Sequence, residues 1–207
     1  MKRFFIASTL VIGALASSVS AASAQTPAVT YATTGTLTDG SPFTLGWAFN
    51  LSASTTVTQL GVWNGGTLGN YMAGIWTIGG TSVVSTNVLS TDPVLGDYRW
   101  GSIAPVVLGA GDYVVAAEFR NGLFPSSATG VVTIPSLTWI SDRQVFGGGL
   151  NFPTYNTGGG YGPNGILWAN FATDANTTVP EPSTWALMVV GLAAVGVTSR
   201  RRRLAGR

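Results

Sequence analysis

Leu108-Gly109-Ala110-Gly111-Asp112-Tyr113-Val114-Val115-Ala116-Ala117-Glu118-Phe119 is the stretch on which the fold turns. From Tyr113 onward, Tyr113, Val115, Ala117 and Phe119 fall on one face of an extended chain and Glu118 on the other, which is strand periodicity. Working outward, short apolar runs of the same kind recur at 43–49, 57–63, 73–78, 82–89, 98–108, 131–140 and 166–171. Turn residues separate them: Asp39-Gly40, Asn64-Gly65-Gly66, Gly79-Gly80, Asp92-Pro93, Gly109 to Asp112 and Asn121-Gly122. No helical stripe of three or more turns interrupts them. The pattern predicts an all-β domain, a β-sandwich of Greek-key or jelly-roll type.

The turn at the head of the quoted stretch has a finer reading. Leu108, Gly111 and Tyr113 fit the Leu-x-x-Gly-x-Tyr corner of Greek-key sandwiches, in which the tyrosine hydroxyl bonds back to upstream backbone. On that reading Tyr113 is structural. The chain has no cysteine, so no disulfide framework holds it and the core must do so.

The two ends are different in kind. Lys2-Arg3, an apolar run from Phe4 to Ala16 and the small-x-small site Ala22-Ser23-Ala24 make a secretory signal peptide over 1–24, with Gln25 the first mature residue. At the other end, Val179-Pro180-Glu181-Pro182-Ser183 is followed by an apolar run, Trp185 to Val197, and then by Arg200-Arg201-Arg202-Arg203. The prolines hold their segment extended and accessible. Residues 184–199 are just long enough to cross a bilayer core as a helix. The arginines should stay in the cytoplasm, which puts everything before Pro180 on the far side.

Between these ends, residues 25–178 are the size of one domain. Seven of the ten basic residues of the chain lie in the terminal segments. The domain keeps Arg99, Arg120 and Arg143 against seven carboxylates, a net charge of −4. With no basic patch to neutralise phosphates, a nucleic-acid partner is not expected.

The absence of histidine and cysteine removes Ser-His-Asp and Cys-His catalysis and His-ligated zinc. Glycoside hydrolysis needs only two carboxylates. The domain has one glutamate, Glu118, and its aspartates mostly stand in turns, where Asp caps backbone. No Asp-x-Asp-x-Asp-Gly loop marks a calcium site, and no metal or cofactor is assigned. Gly160-x-Gly162-x-x-Gly165 matches a dinucleotide fingerprint in letters only, since no βαβ unit surrounds it. It belongs to a glycine-rich segment, 147–165, whose Phe152, Tyr155 and Tyr161 are candidate ligand contacts. Trp47, Trp63, Trp76, Trp100, Trp139 and Trp168 sit inside apolar runs and read as core.

The C-terminal residues 179–207 closely resemble the PEP-CTERM sorting signal of Gram-negative bacteria, also catalogued as an ice-binding-protein C-terminal domain. The resemblance implies recognition by an exosortase that cleaves near Pro-Glu-Pro and releases or transfers the protein to the surface, often beside exopolysaccharide gene sets. It follows the Sec machinery and signal peptidase in handling the chain. The stretch 43–119 resembles a bacterial extracellular sandwich family of unknown function, through its Val-Thr-x-Leu-Gly-Val-Trp, Ile-Trp and Tyr-Arg-Trp segments.

The expected protein is an exported, non-catalytic surface or matrix protein, passing through an inner-membrane intermediate and associated with exopolysaccharide or biofilm. Two rivals stay open: a carbohydrate- or ice-binding module using exposed aromatics, and a glycan-active enzyme with paired carboxylates.

Overall fold

The computed structural model describes residues 25–40, 42–65, 69–156 and 165–174. All of them belong to a compact unit, Ala24–Asn176. The signal-peptide residues before Gln25, Tyr161 and everything from 175 onward, including the sorting motif, the apolar run and the arginine cluster, lie outside the described residues.

The described residues are all-β, with no helix among them. In chain order the strands are β1 (Gln25–Pro27), β2 (Val29–Thr30), β3 (Thr36–Gly40), β4 (Phe43–Leu51), β5 (Thr55–Trp63), β6 (Tyr71–Thr77), β7 (Ser82–Val88), β8 (Val94–Leu95), β9 (Tyr98–Leu108), β10 (Gly111–Phe119), β11 (Gly122–Ser126), β12 (Val132–Thr133), β13 (Leu137–Phe146), β14 (Tyr155–Asn156) and β15 (Ala169–Asp174). One sheet runs β1-β15-β5-β9-β8 and a second runs β14-β13-β4-β10-β6-β7, with β11-β3 and β12-β2 as small two-stranded pieces. All strand pairs are antiparallel.

The alternation along β10 works as the sequence predicts. Val115, Ala117 and Phe119 enter one apolar cluster together with Leu45, Trp47 and Phe49 of β4 and Leu60, Trp100 and Phe171 of the other sheet. On one side the sheets curl together: glycine at position 101 lets β9 approach Thr86 and Val88 of β7. Gly111, with φ +150°, opens β10 in a backbone conformation that side chains disfavour. Next to it the Tyr113 ring, half-buried, stacks on Phe49 at 5.8 Å.

The second sheet is covered on both faces. Its outer face is built from Gly46, Ala48, Gly74 and Ala116, all buried, and the Gly147–Thr154 stretch lies over it. Thr44 clasps this cover twice, its Oγ1 donating to Gly149 O at 3.0 Å and accepting from Asn151 N at 3.0 Å. Phe152 packs on Trp76, ring centroids 6.2 Å apart, and over Gly80. Small residues on that face give the segment room, and large ones on the other fill the core.

The structure departs from the sequence expectation in two places. The run 131–140 is not one strand; β13 starts at Leu137 and continues to Phe146, with a bulge between Trp139 and Ser141. The extra residue switches parity. Leu137 and Trp139 face the core before the bulge; Asp142, Gln144 and Phe146 share that face after it. The run 166–171 is a strand only from Ala169. Ile166, Leu167 and Trp168 form a buried span whose backbone is held partly by backbone, Trp63 N donating to Trp168 O at 2.9 Å and Leu167 N to Pro125 O at 3.4 Å, and partly by side chains of both sheets. Asp142 accepts from Ile166 N (3.0 Å), Tyr98 Oη donates to Leu167 O (2.8 Å) and Trp47 Nε1 donates to Ala169 O (2.8 Å). The Trp168 indole in turn donates to Glu118 O at 2.9 Å. Buried backbone outside a ladder requires such partners. Gly165 has no side chain because the Asp142 carboxylate occupies the place a Cβ would take.

Candidate functional site

Three regions hold what chemistry the described residues offer. The first is the carboxylates. Asp92 accepts from Leu89 N at 2.8 Å and Asp112 from the Asn50 side chain at 2.6 Å, ordinary turn and edge roles. Asp142, which is buried, supports Ile166 as described. Glu118, on the outer face of β10, is bridged by Arg120 (Nε to Oε1 2.9 Å, Nη2 to Oε2 3.2 Å). The Arg120 guanidinium holds the Glu118 carboxyl below its ordinary value of 4.5; the Met72 and Gly149 backbone amides add to the effect. Glu118 therefore helps fasten the cover segment. Arg120 also lies over the Tyr71 ring, 5.4 Å from its centroid. Among the described residues no three His, Cys, Asp or Glu side chains come together in a way that could hold a metal ion.

The second region is the junction of the domain's two ends. β1 pairs with β15 in the register Gln25↔Asp174, Thr26↔Thr173 and Pro27↔Ala172. Asn170 reinforces the arrangement by bonding the backbone of Val29 on both its N–H (3.3 Å) and its carbonyl (2.7 Å). The residue expected to follow signal cleavage thus lies beside the last strand residue before the sorting segment. An open groove of about 610 Å³, lined by hydroxyls of Thr26, Thr55, Ser136 and Thr173 and by Asp174, borders this junction.

The third region is aromatic. The tryptophans behave as the sequence suggests: Trp47, Trp63, Trp76, Trp100 and Trp168 are buried and Trp139 is half-buried, stacked on Trp47 at 4.9 Å. They form no exposed row. Of the candidate ligand contacts in the glycine-rich segment, Phe152 is committed to packing on Trp76. Tyr155 is different, being 60 % exposed on the edge strand β14. It ends a row with two residues the sequence did not single out. Phe146, 65 % exposed, lies 6.4 Å from it with the rings at 81°. Phe43 lies beside Phe146, ring centroids 4.7 Å apart. Phe43 and Phe146 are register partners across β4 and β13, and Tyr155 pairs with Gln144. All four residues therefore share one face of the sheet, a proximity that only strand pairing creates. The sole sequence signal was an aromatic at each end of a strand.

Residues 178–203 match the PEP-CTERM protein-sorting motif. The motif marks the chain as an exported protein sorted by an exosortase, its implied processing partner. No curated protein and no solved structure matches the chain, and the resemblance of 43–119 to an extracellular sandwich family is not confirmed by these comparisons.

Proposed function

We propose that the chain is a non-catalytic cell-surface or extracellular-matrix protein whose β-domain is delivered by two successive cuts. Sec export and signal peptidase leave Gln25 as the mature N-terminus, with Ala22 and Ala24 presenting the site. The apolar run about 184–199 then holds the protein in the inner membrane as a helix, with Arg200–Arg203 on the cytoplasmic side. An exosortase acts at Val179-Pro180-Glu181-Pro182-Ser183 and passes residues 25–178 to the surface, where exopolysaccharide or biofilm surrounds them. In this reading the domain is a Greek-key sandwich, and Leu108, Gly111 and Tyr113 are structural.

The observation that carries the proposal is the sorting motif at 178–203. The pairing of Gln25 with Asp174 agrees with it. A domain whose two ends leave from one edge can fold while both are still fixed in the same membrane. The carboxylate geometry supports a non-catalytic role, since Glu118 and Asp142 are both engaged in holding backbone segments. The test is expression in an exosortase-bearing host and in the same host lacking the enzyme. Loss of exosortase should shift the protein from the surface fraction to an uncut membrane form. Identical distributions in the two hosts would defeat the proposal.

A further inference from the structure

Phe146 and Tyr155 stand out because they are large, exposed and mutually ordered, at the edge of a sheet whose other aromatics are packed away. Single exposed apolar residues need no explanation. A right-angled pair, backed by a third ring and flanked by an amide, is a shaped surface. Tyr155 meets Phe146 edge-on, at 81°, so one ring forms a floor and the other a wall. Phe43, itself packed against the core, flanks Phe146 and fixes that ring from the core side of the face. Gln144 lies opposite Tyr155 and two residues from Phe146 on the same face. Its amide brings two donors and an acceptor, and the Tyr155 hydroxyl can do both.

We propose that this corner binds a neutral saccharide, one pyranose ring resting its C–H face on Phe146 against Tyr155, with Gln144 and the Tyr155 hydroxyl taking its hydroxyl groups. The chemistry selects this occupant. Beyond the bulge, the charged side chain of β13 on this face is Asp142, which is buried and holds Ile166 N, so among the described residues the strands forming the corner offer no free charge on this face. The exposed aromatic area is roughly 250 Å² for two such rings. A stable protein partner needs about 800 Å² per side. β14 has two residues, too few for a partner strand to add along it. The inference deepens the proposed function by naming the surface that would hold a surrounding polysaccharide, and it rests on that reading only for the polymer being within reach.

Residues 25–178, which contain every described strand and the apolar core cluster, are run through affinity gels containing laminarin, mannan or dextran, with alginate as the acidic comparison. Retention by at least one neutral polymer is expected. Phe146→Ala and Tyr155→Ala should each weaken it about tenfold, the loss typical of a central aromatic contact. Phe146→Trp should preserve it, and so should Val107→Ala, which changes another exposed apolar residue on β9. Tyr155 lies at a two-residue edge, so its variant keeps the fold even if Phe146→Ala does not. The proposal is overturned by failure of all three neutral polymers, by retention indifferent to Tyr155→Ala, by salt-sensitive retention in alginate alone, or by sedimentation showing that the corner pairs two copies. The cell-fractionation test above is independent of all these outcomes, so the two readings can fail separately.

Discussion

Replacing Trp47 with phenylalanine isolates the side-chain bond that fixes the junction between the buried span 166–168 and the first residue of β15. Trp47 is 0 % exposed and its indole N–H donates to Ala169 O at 2.8 Å. Phenylalanine keeps the ring contact with Phe49 and Phe171 but removes the donor, leaving a buried carbonyl unmatched at a cost of about 1–3 kcal/mol. The smaller ring also leaves a gap of roughly 40 Å³, worth about 1 kcal/mol more. The sum, about 2–4 kcal/mol, is a large part of a stability of about 5–15 kcal/mol. For a domain of this size it should lower Tm by roughly 10 °C. Urea unfolding of residues 25–178 followed by far-UV circular dichroism reads it, with an unchanged slope confirming that both variants unfold alike. Val107→Ala, at a residue 68 % exposed, should stay within about 0.5 kcal/mol of the parent. A Trp47→Phe loss no larger than that would refute the claim that this side-chain bond fixes the junction.

Other consequences follow from the same contacts. Glu118 has its folded pKa lowered, chiefly by Arg120, so its contribution is present above the ordinary value of 4.5 and is lost as pH falls through the depressed value. Arg120→Ala should move the Glu118 carboxyl titration, read by carbon NMR, upward toward 4.5; an unmoved midpoint would show that the backbone amides alone hold it. Gly165→Ala should destabilise by about 2–3 kcal/mol, because its Cβ meets the Asp142 carboxylate. Combined with Asp142→Ala, the double variant should be markedly more stable than the summed singles predict, and simple additivity would contradict the contact. Changing Pro180, Glu181 and Pro182 together to alanine should leave the protein uncut in the membrane fraction on an immunoblot, whereas normal release would remove those residues from the sorting reaction.

Much of the β-class was legible because alternation along β4 and β10 is strong and the Gly and Asn turns are explicit. What escaped reading depends on register. The bulge in β13 cannot be seen in Asp142-Arg143-Gln144, whose polarity also hides a strand with one face in the core. Phe-Thr-Leu-Gly-Trp-Ala-Phe, residues 43–49, alternates large with small, and that was a readable sign that something lies close over the small side. That something is the glycine-rich segment, whose Phe152 is packing rather than display. Ile166 to Trp168 looked like a strand because buried chain outside a ladder is as apolar as chain within one. Tyr155 is a candidate legible from composition, but Phe146 comes to it, and Phe43 to Phe146, through pairings that no local window contains.

The most direct check of the central claim is intact-mass analysis of the protein recovered from the cell surface of its exosortase-bearing host. The account predicts one species beginning at Gln25 and ending near Val179 to Ser183, without the arginine cluster. A surface-recovered chain that still carries Arg200–Arg203, or protein found solely in the cytosolic fraction with Met1 in place, would contradict it.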